Sequence, residues 1–146
     1  MEHQNEELLK AWLRLSVGVN NEKLVPDMPY NEALICNILY WNMTEHPENK
    51  MTATQLCQRT RMLKSQMNRT LNNMEQKEII IRERSETDRR QVFVQLNPSQ
   101  LGAYQKQHQK ILDMIDLIID KTGTETAQQA ISIFNQLANA AMEVWK

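Results

Sequence analysis

LKSQMNRTLNNMEQKEIIIRERSETDRRQVFVQL, residues 63–96, is the stretch on which the fold turns. Its first half has a helical period. Leu63, Met67, Leu71 and Met74 recur at steps of four, four and three, which predicts one buried stripe on a helix over Lys64–Lys77. The other face carries Lys64, Ser65, Gln66, Asn68, Arg69, Asn72, Asn73 and Gln76, with Glu75 as its single acidic neighbour. An ordinary solvated face mixes Glu and Lys in i,i+4 pairs. This one holds side chains suited to base edges and phosphates. The second half changes period. Ile79-Ile80-Ile81-Arg82-Glu83-Arg84 is β-branched and then alternates, and Val92-Phe93-Val94-Gln95-Leu96 reads as a second strand. The polar residues 85–91 between them include Asp88 and the paired Arg89 and Arg90, so the pattern is a β-hairpin with a charged tip.

Upstream, Thr52-x-x-Gln55 is a capping box that opens a short helix, with Leu56 and Cys57 facing inward and an end near Thr60-Arg61. Before it, Pro29 suits the first turn of a helix that runs to about Thr44. Its expected inward stripe is Leu34, Ile35, Ile38, Leu39 and Trp41, and His46-Pro47-Glu48-Asn49 breaks it. Residues 4–19 place Leu8, Ala11, Trp12, Leu15 and Val19 on one face of an amphipathic helix, ended by Asn20-Asn21 and the loop prolines Pro26 and Pro29. Downstream, Asn97-Pro98-Ser99-Gln100 starts a long helix to about Asp120, with Leu101, Tyr104, Ile111, Ile115 and Ile118 along one side. Gly123 separates it from a last helix, about Thr124 to Trp145, bearing Ile131, Phe134, Leu137, Ala138 and Ala141.

The chain of 146 residues fits a single domain, 1–146, that is mainly α with a small β-hairpin wing. No run of 18 apolar residues exists, so no membrane span is expected, and the acidic start Met1-Glu2-His3 is unlike a secretory signal. The expected location is the cytoplasm. Cys36 and Cys57 lie 21 residues apart without a C-x-x-C pattern, which excludes a disulfide framework or zinc knuckle. Each reads as a small buried hydrophobe, with an oxidant-sensing thiol as the alternative. His3, His46 and His108 lack ligand spacing, so no metal and no cofactor are expected. No nucleophile–base pair or Gly-rich phosphate loop argues for an enzyme.

Net charge is −1, but it is unevenly distributed. Lys50 to Phe93 holds ten Lys/Arg and five Asp/Glu, while the remainder holds seven and thirteen. A local basic face can attract phosphate although the whole chain is close to neutral. In a helix–turn–helix the second helix enters the major groove, where Asn, Gln, Arg and Ser read base pairs. A hairpin tip beside it can lay Arg89 or Arg90 along the minor groove or its phosphates. These observations point to double-stranded DNA as the partner. A winged helix that binds protein instead is the alternative from a different class, and steep salt dependence distinguishes DNA binding.

Residues 51–97 resemble the MarR (multiple antibiotic resistance regulator) family of winged-helix transcription factors. The likeness rests on Asp88-Arg89-Arg90 leading to Val92-Phe93-Val94-Gln95-Leu96, on Met51-Thr52-x-x-Gln55-Leu56-Cys57, and on Leu63-Lys64-Ser65-Gln66-Met67-Asn68-Arg69-x-Leu71. Two positions depart from the family's pattern. Glu78 stands where a Gly often follows the recognition helix, and Arg61 where the turn often has Gly. Both departures bear on local backbone geometry.

The resemblance implies a winged-helix DNA-binding region over 30–97 and helical dimerisation regions over 1–20 and 98–146. It implies a homodimer, and the residues agree: Ile111, Leu112, Met114, Ile115, Leu117, Ile118 and Ile119 cannot all face one small core. Two-fold symmetry then predicts a palindromic operator with half-sites about one helical turn apart. Ser65, Gln66, Asn68 and Arg69 are expected on bases and nearby phosphates, and Lys64 and Asn72 on phosphates. Arg84, Arg89 and Arg90 are the wing cations, and Asp88 is expected to orient an arginine. Thr52 and Thr54 either cap their helix, hold a phosphate at its N-terminus, or do both. The resemblance also implies an effector pocket lined by the first, second and fifth helices. Trp12, Tyr30, Tyr40 and Trp41 lie on those segments and would suit a small aromatic or lipophilic effector, or else belong to the core. The expected function is a transcriptional regulator, in the first instance a repressor released by that effector. An oxidant sensor acting through Cys36 or Cys57 is the alternative.

Overall fold

A computed structural model describes residues 2–21 and 28–145; Pro26 and the side chain of Val19 lie outside what it describes. The chain divides into two compact units, Met1–Gln107 and His108–Lys146.

The first unit begins with α1 (Glu2–Asn21) and α2 (Tyr30–Glu45). They are followed by β1 (Met51–Thr52), α3 (Ala53–Thr60), α4 (Lys64–Gln76), β2 (Ile80–Arg84) and β3 (Val92–Leu96). A single 3-10 turn, Pro98–Gln100, leads into α5 (Leu101–Thr122). The strands form one antiparallel sheet in the order β1-β3-β2. The wing pairing joins Ile80 to Leu96 and Arg84 to Val92, so Ile80, Val94 and Leu96 all point to the buried side. The periodicity gave no hint of β1. It is two residues long and exists only because Met51 and Thr52 pair with Val94 and Phe93.

The core is built where three helices meet the sheet. Ile35, Cys36, Ile38 and Leu39 of α2 meet Leu56 of α3, Met67, Leu71 and Met74 of α4, and Met51, Ile80, Val94 and Leu96 of the sheet. The stripe read from α4 therefore holds for three of its four members. Leu63 is the exception: it is the N-cap residue, 72% exposed, and lies outside the helix it was expected to anchor. On α2 the buried set is shifted from the expected one. Glu32, Ala33 and Cys36 are buried, whereas Trp41 is exposed and Leu34 only half-buried. The buried carboxylate is paired: Lys77 Nζ donates to both oxygens of Glu32 at 3.1 Å. This ion pair ties the first turn of α2 to the end of α4. A carboxylate so deeply buried would be costly without such a partner.

Both helix ends that lack glycine adopt the left-handed conformation all the same. Arg61, the C-cap of α3, has φ 61° and ψ 16°. Glu78, just past the C-cap of α4, also has φ 61°. Around Glu78 the amide of Ile79 donates to Met74 O (2.9 Å) and that of Glu78 to Glu75 O (3.0 Å), the two bonds of a Schellman motif. Asn97 Nδ2 then holds the Glu78 carbonyl at 2.9 Å. Three hydrogen bonds thus impose a geometry that a side-chain-bearing residue enters at a cost of about 1–2 kcal/mol.

The second unit contains the later turns of α5 and all of α6 (Thr124–Val144), joined through Gly123 at φ 95°. No residue of α5 or α6 is buried within this single chain. Leu117, Ile118, Ile131, Phe134 and Trp145 are all more than half exposed. No helix among the described residues is long and apolar enough to cross a membrane.

Candidate nucleic-acid interface

Two short helices and a hairpin shape the surface. The capping box of α3 forms in full: Thr52 Oγ1 accepts from the amide of Gln55 at 3.1 Å, and Gln55 Oε1 accepts from the amide of Thr52 at 2.9 Å. The Thr52 hydroxyl is therefore engaged in capping, while Thr54 is exposed. The left-handed Arg61 turns the chain sharply, and α4 starts three residues later. Met67, Leu71 and Met74 seat α4 on the core, so Lys64, Ser65, Gln66, Asn68, Arg69 and Asn72 are exposed together. Leu63 offers no side-chain cap to the first turn of α4.

The wing tip is held by its own hydrogen bonds. Buried Ser85 pairs its amide with Gln91 O (2.9 Å) and accepts the amide of Asp88 on Oγ (3.1 Å). Asp88 Oδ1 accepts from the backbone amide of Arg90 at 3.1 Å. The acid thus orients the arginine through the main chain, in place of the expected bond to a guanidinium. Arg84 Nη1 donates to the carbonyl of Arg89 at 2.8 Å, so Arg84 braces the tip from inside the strand. Arg89 and Arg90 remain exposed at the tip.

One contact the sequence reading missed links the wing to α4. Arg82 Nε and Nη2 donate to the two oxygens of Glu75 at 3.2 and 3.0 Å, and Nη2 also donates to Asn72 Oδ1 at 2.6 Å. Hydrogen bonding from the Arg82 side chain is the largest influence and holds the Glu75 carboxyl below its ordinary value; burial, next in size, opposes it, and the charge of Arg82 adds to the lowering. The signal was present: strand alternation puts Arg82 on the same side as Ile80, towards α4, whose polar face has one acid to meet it.

The expected effector residues line neither of the two small clefts of the first unit. Trp12, Tyr30 and Trp41 are exposed, and Tyr40 stacks on Tyr104 with ring centroids 5.3 Å apart. The Tyr104 hydroxyl donates to Asn37 Oδ1 at 2.6 Å, and burial first, then Cys36 and Tyr40, push its pKa upward. Two small clefts of about 140 and 120 Å³ in the first unit are lined by other side chains. Cys36 is fully buried; burial and then Glu32 push its thiol up to about 12. Cys57 is half-buried. Among the described residues no three His, Cys, Asp or Glu side chains gather as a metal site would require.

A helix–turn–helix followed by a hairpin on a three-stranded antiparallel sheet defines a winged-helix protein. Within that class it is MarR-like: residues 41–91 match the model of the MarR family. Solved structures extend the likeness to nearly the whole chain. The transcriptional regulator BldR from Sulfolobus solfataricus superposes with a TM-score of 0.71 at 16% identity, covering 95% of each chain. Staphylococcus aureus MarR, in complex with salicylate and kanamycin, gives 0.74 at 19% identity, covering 97% of this chain and 95% of that one. Streptococcus pneumoniae FabT, in complex with DNA, gives 0.67 at 19% identity, covering 98% of each. No curated protein sequence matches the chain. The chain therefore has the fold of MarR-family transcriptional regulators.

Proposed function

We propose that this protein is a cytoplasmic transcriptional repressor, not an enzyme, that binds a palindromic operator as a homodimer. The observation that carries the reading is the face of α4. Six exposed side chains able to donate to bases or phosphates stand together, and Glu75, the one acid on that helix, is bound by Arg82. Arg89 and Arg90 on the wing tip supply further cations. Lys64, Arg89 and Arg90 grip phosphate; Ser65, Gln66, Asn68 and Arg69 read bases. Residues 30–97 act as the DNA-binding region, and 1–20 with 98–146 as the dimerisation region.

Dimerisation is supported by the apolar surface that the single chain leaves in water. Leu8, Leu9, Trp12, Leu13 and Leu15 of α1 are half exposed or more, as are Ile131 and Phe134 of α6. Apolar side chains left exposed in this way on each unit mark an interface. Release by a small aromatic effector is the regulatory part of the proposal, supported by the salicylate complex of S. aureus MarR. A redox mechanism through Cys36 is disfavoured, because a buried thiol raised to about 12 holds little thiolate at neutral pH.

The test is fluorescence anisotropy on a duplex selected from a random pool, repeated across salt concentrations. With about six phosphate contacts per dimer, the logarithm of affinity should fall with that of salt at a slope near −5. A slope near zero would favour the protein-interaction reading.

A further inference from the structure

The one polar clamp between β2 and the exposed face of α4 carries a further assignment, which rests on the reading of α4 as the DNA-contacting helix. Arg82 reaches two side chains one helical turn apart, Asn72 and Glu75. An arginine has only donors, so the Asn72 atom facing it must be the amide oxygen. That orientation follows from the chemistry of the partner and leaves Nδ2 as the group Asn72 can offer outward. Reading an adenine edge requires an asparagine to turn both its oxygen and its nitrogen to the base. An amide whose oxygen already accepts from the wing has one lone pair left there and its plane set by Arg82, so Nδ2 is its freer group.

We propose that Arg82 is a positioning residue for DNA recognition: it fastens the third turn of α4 to the wing and sets the amide plane of Asn72 so that Nδ2 is presented outward as a donor. Asn72 thereby selects hydrogen-bond acceptors, either a phosphate oxygen or the acceptor edge of guanine or thymine. Arg82 is assigned to positioning and not to phosphate, because Nε and Nη2 are directed at Glu75 and Asn72. Its charge cancels that of Glu75, which would otherwise repel the DNA backbone. The geometry also couples the angle of the wing to that of α4, so the reading residues and the Arg89–Arg90 tip keep one spacing.

The decisive comparison uses the full chain and the double variant Arg82→Met with Glu75→Gln, which removes the clamp and leaves net charge unchanged. Thermal unfolding monitors the fold, and Arg82→Lys with native Glu75 serves as the conservative variant. The ratio of operator to random-duplex affinity should fall about tenfold in the double variant and recover in part in Arg82→Lys, consistent with the loss of one or two base-level contacts. The salt slope should stay at the wild-type value. Asn72→Ala should cost less in the clamp-free background than in the wild type, since two residues acting as a unit are not additive. In Asn72→Ala alone, a loss confined to operators altered at one base pair assigns Asn72 to that base, and an equal loss on every duplex assigns it to phosphate; both support the clamp when the double variant also lowers the specificity ratio. A slope shallower by about 0.9 per protomer would make Arg82 a phosphate contact and overturn the proposal. An unchanged specificity ratio would also overturn it, while the DNA-binding reading stands. A wild-type protein that binds no duplex would remove that reading and the clamp's role with it.

Discussion

Residues 30–97 and residues 108–146 are both amphipathic, yet they treat their apolar side chains in opposite ways. The first stretch hides Ile35, Leu56, Met67, Leu71, Met74, Ile80 and Val94 almost completely, around a core drawn from helices and strands. The second leaves Leu117, Ile118, Ile131 and Phe134 more than half exposed. The difference separates two jobs. The winged-helix region buries its apolar side chains within itself, which leaves its surface polar. The terminal helices leave theirs uncovered, and a second copy of the chain is the occupant proposed above.

The comparison breaks most sharply in the core. Leu71→Ala should cost about 3 kcal/mol in urea unfolding, because Leu71 is fully buried and neighbouring Met67 and Met74 cannot collapse fully into the gap. Phe134→Glu should leave that region folded but weaken self-association by about 2 kcal/mol, roughly 30-fold, as measured by sedimentation. A variant that unfolds without dissociating would erase the distinction between the two regions.

Within the winged helix a finer contrast follows, between gripping and reading. Arg90→Ala should weaken binding on every duplex and make the salt slope shallower by about 0.9 per protomer. Asn68→Ala should shift base preference by about 1–2 kcal/mol at one position and leave the slope alone. If both leave operator affinity intact, the surface is assigned wrongly. Smaller still, Glu78→Gly should raise stability by about 1 kcal/mol, since it relieves a left-handed residue at the end of α4.

The smallest effect is that of pH on the clamp. Glu75 has a lowered folded-state pKa, so its contribution is complete above the ordinary carboxylate range and is lost as pH falls through the lowered value. The stability difference between wild type and Glu75→Gln should therefore narrow on acidification. Because Glu75 is largely solvated, the change should be slight.

The sequence made the periodic elements legible, and the structure shows why. The α4 stripe, the wing strands and the Thr52–Gln55 box all depend on neighbours within a few residues. Glu78 and Arg61 were legible in a different sense: the fold needs left-handed residues there, and the chain supplies them without glycine. What escaped is non-local. The strand β1 is defined by pairing with Val94 and Phe93, some forty residues on. The Glu32–Lys77 pair spans 45 residues, and no spacing rule could reveal it. Leu63 was misplaced because periodicity runs on past a helix end into its cap. Trp41 was misplaced because apolar residues are spread round α2 and not gathered on one side, so its pattern does not select one face. The exposed polar face of α4 follows directly from its buried stripe. Asn72 is the partial exception, since the wing holds its oxygen.

The most direct measurement is a footprint of the dimer on the duplex that it selects from a random pool. Two α4 helices related by two-fold symmetry should protect a palindrome whose half-site centres lie about one helical turn, roughly 34–36 Å, apart. A footprint over a single half-site, or enrichment of no sequence, would contradict the proposed dimeric reading surface.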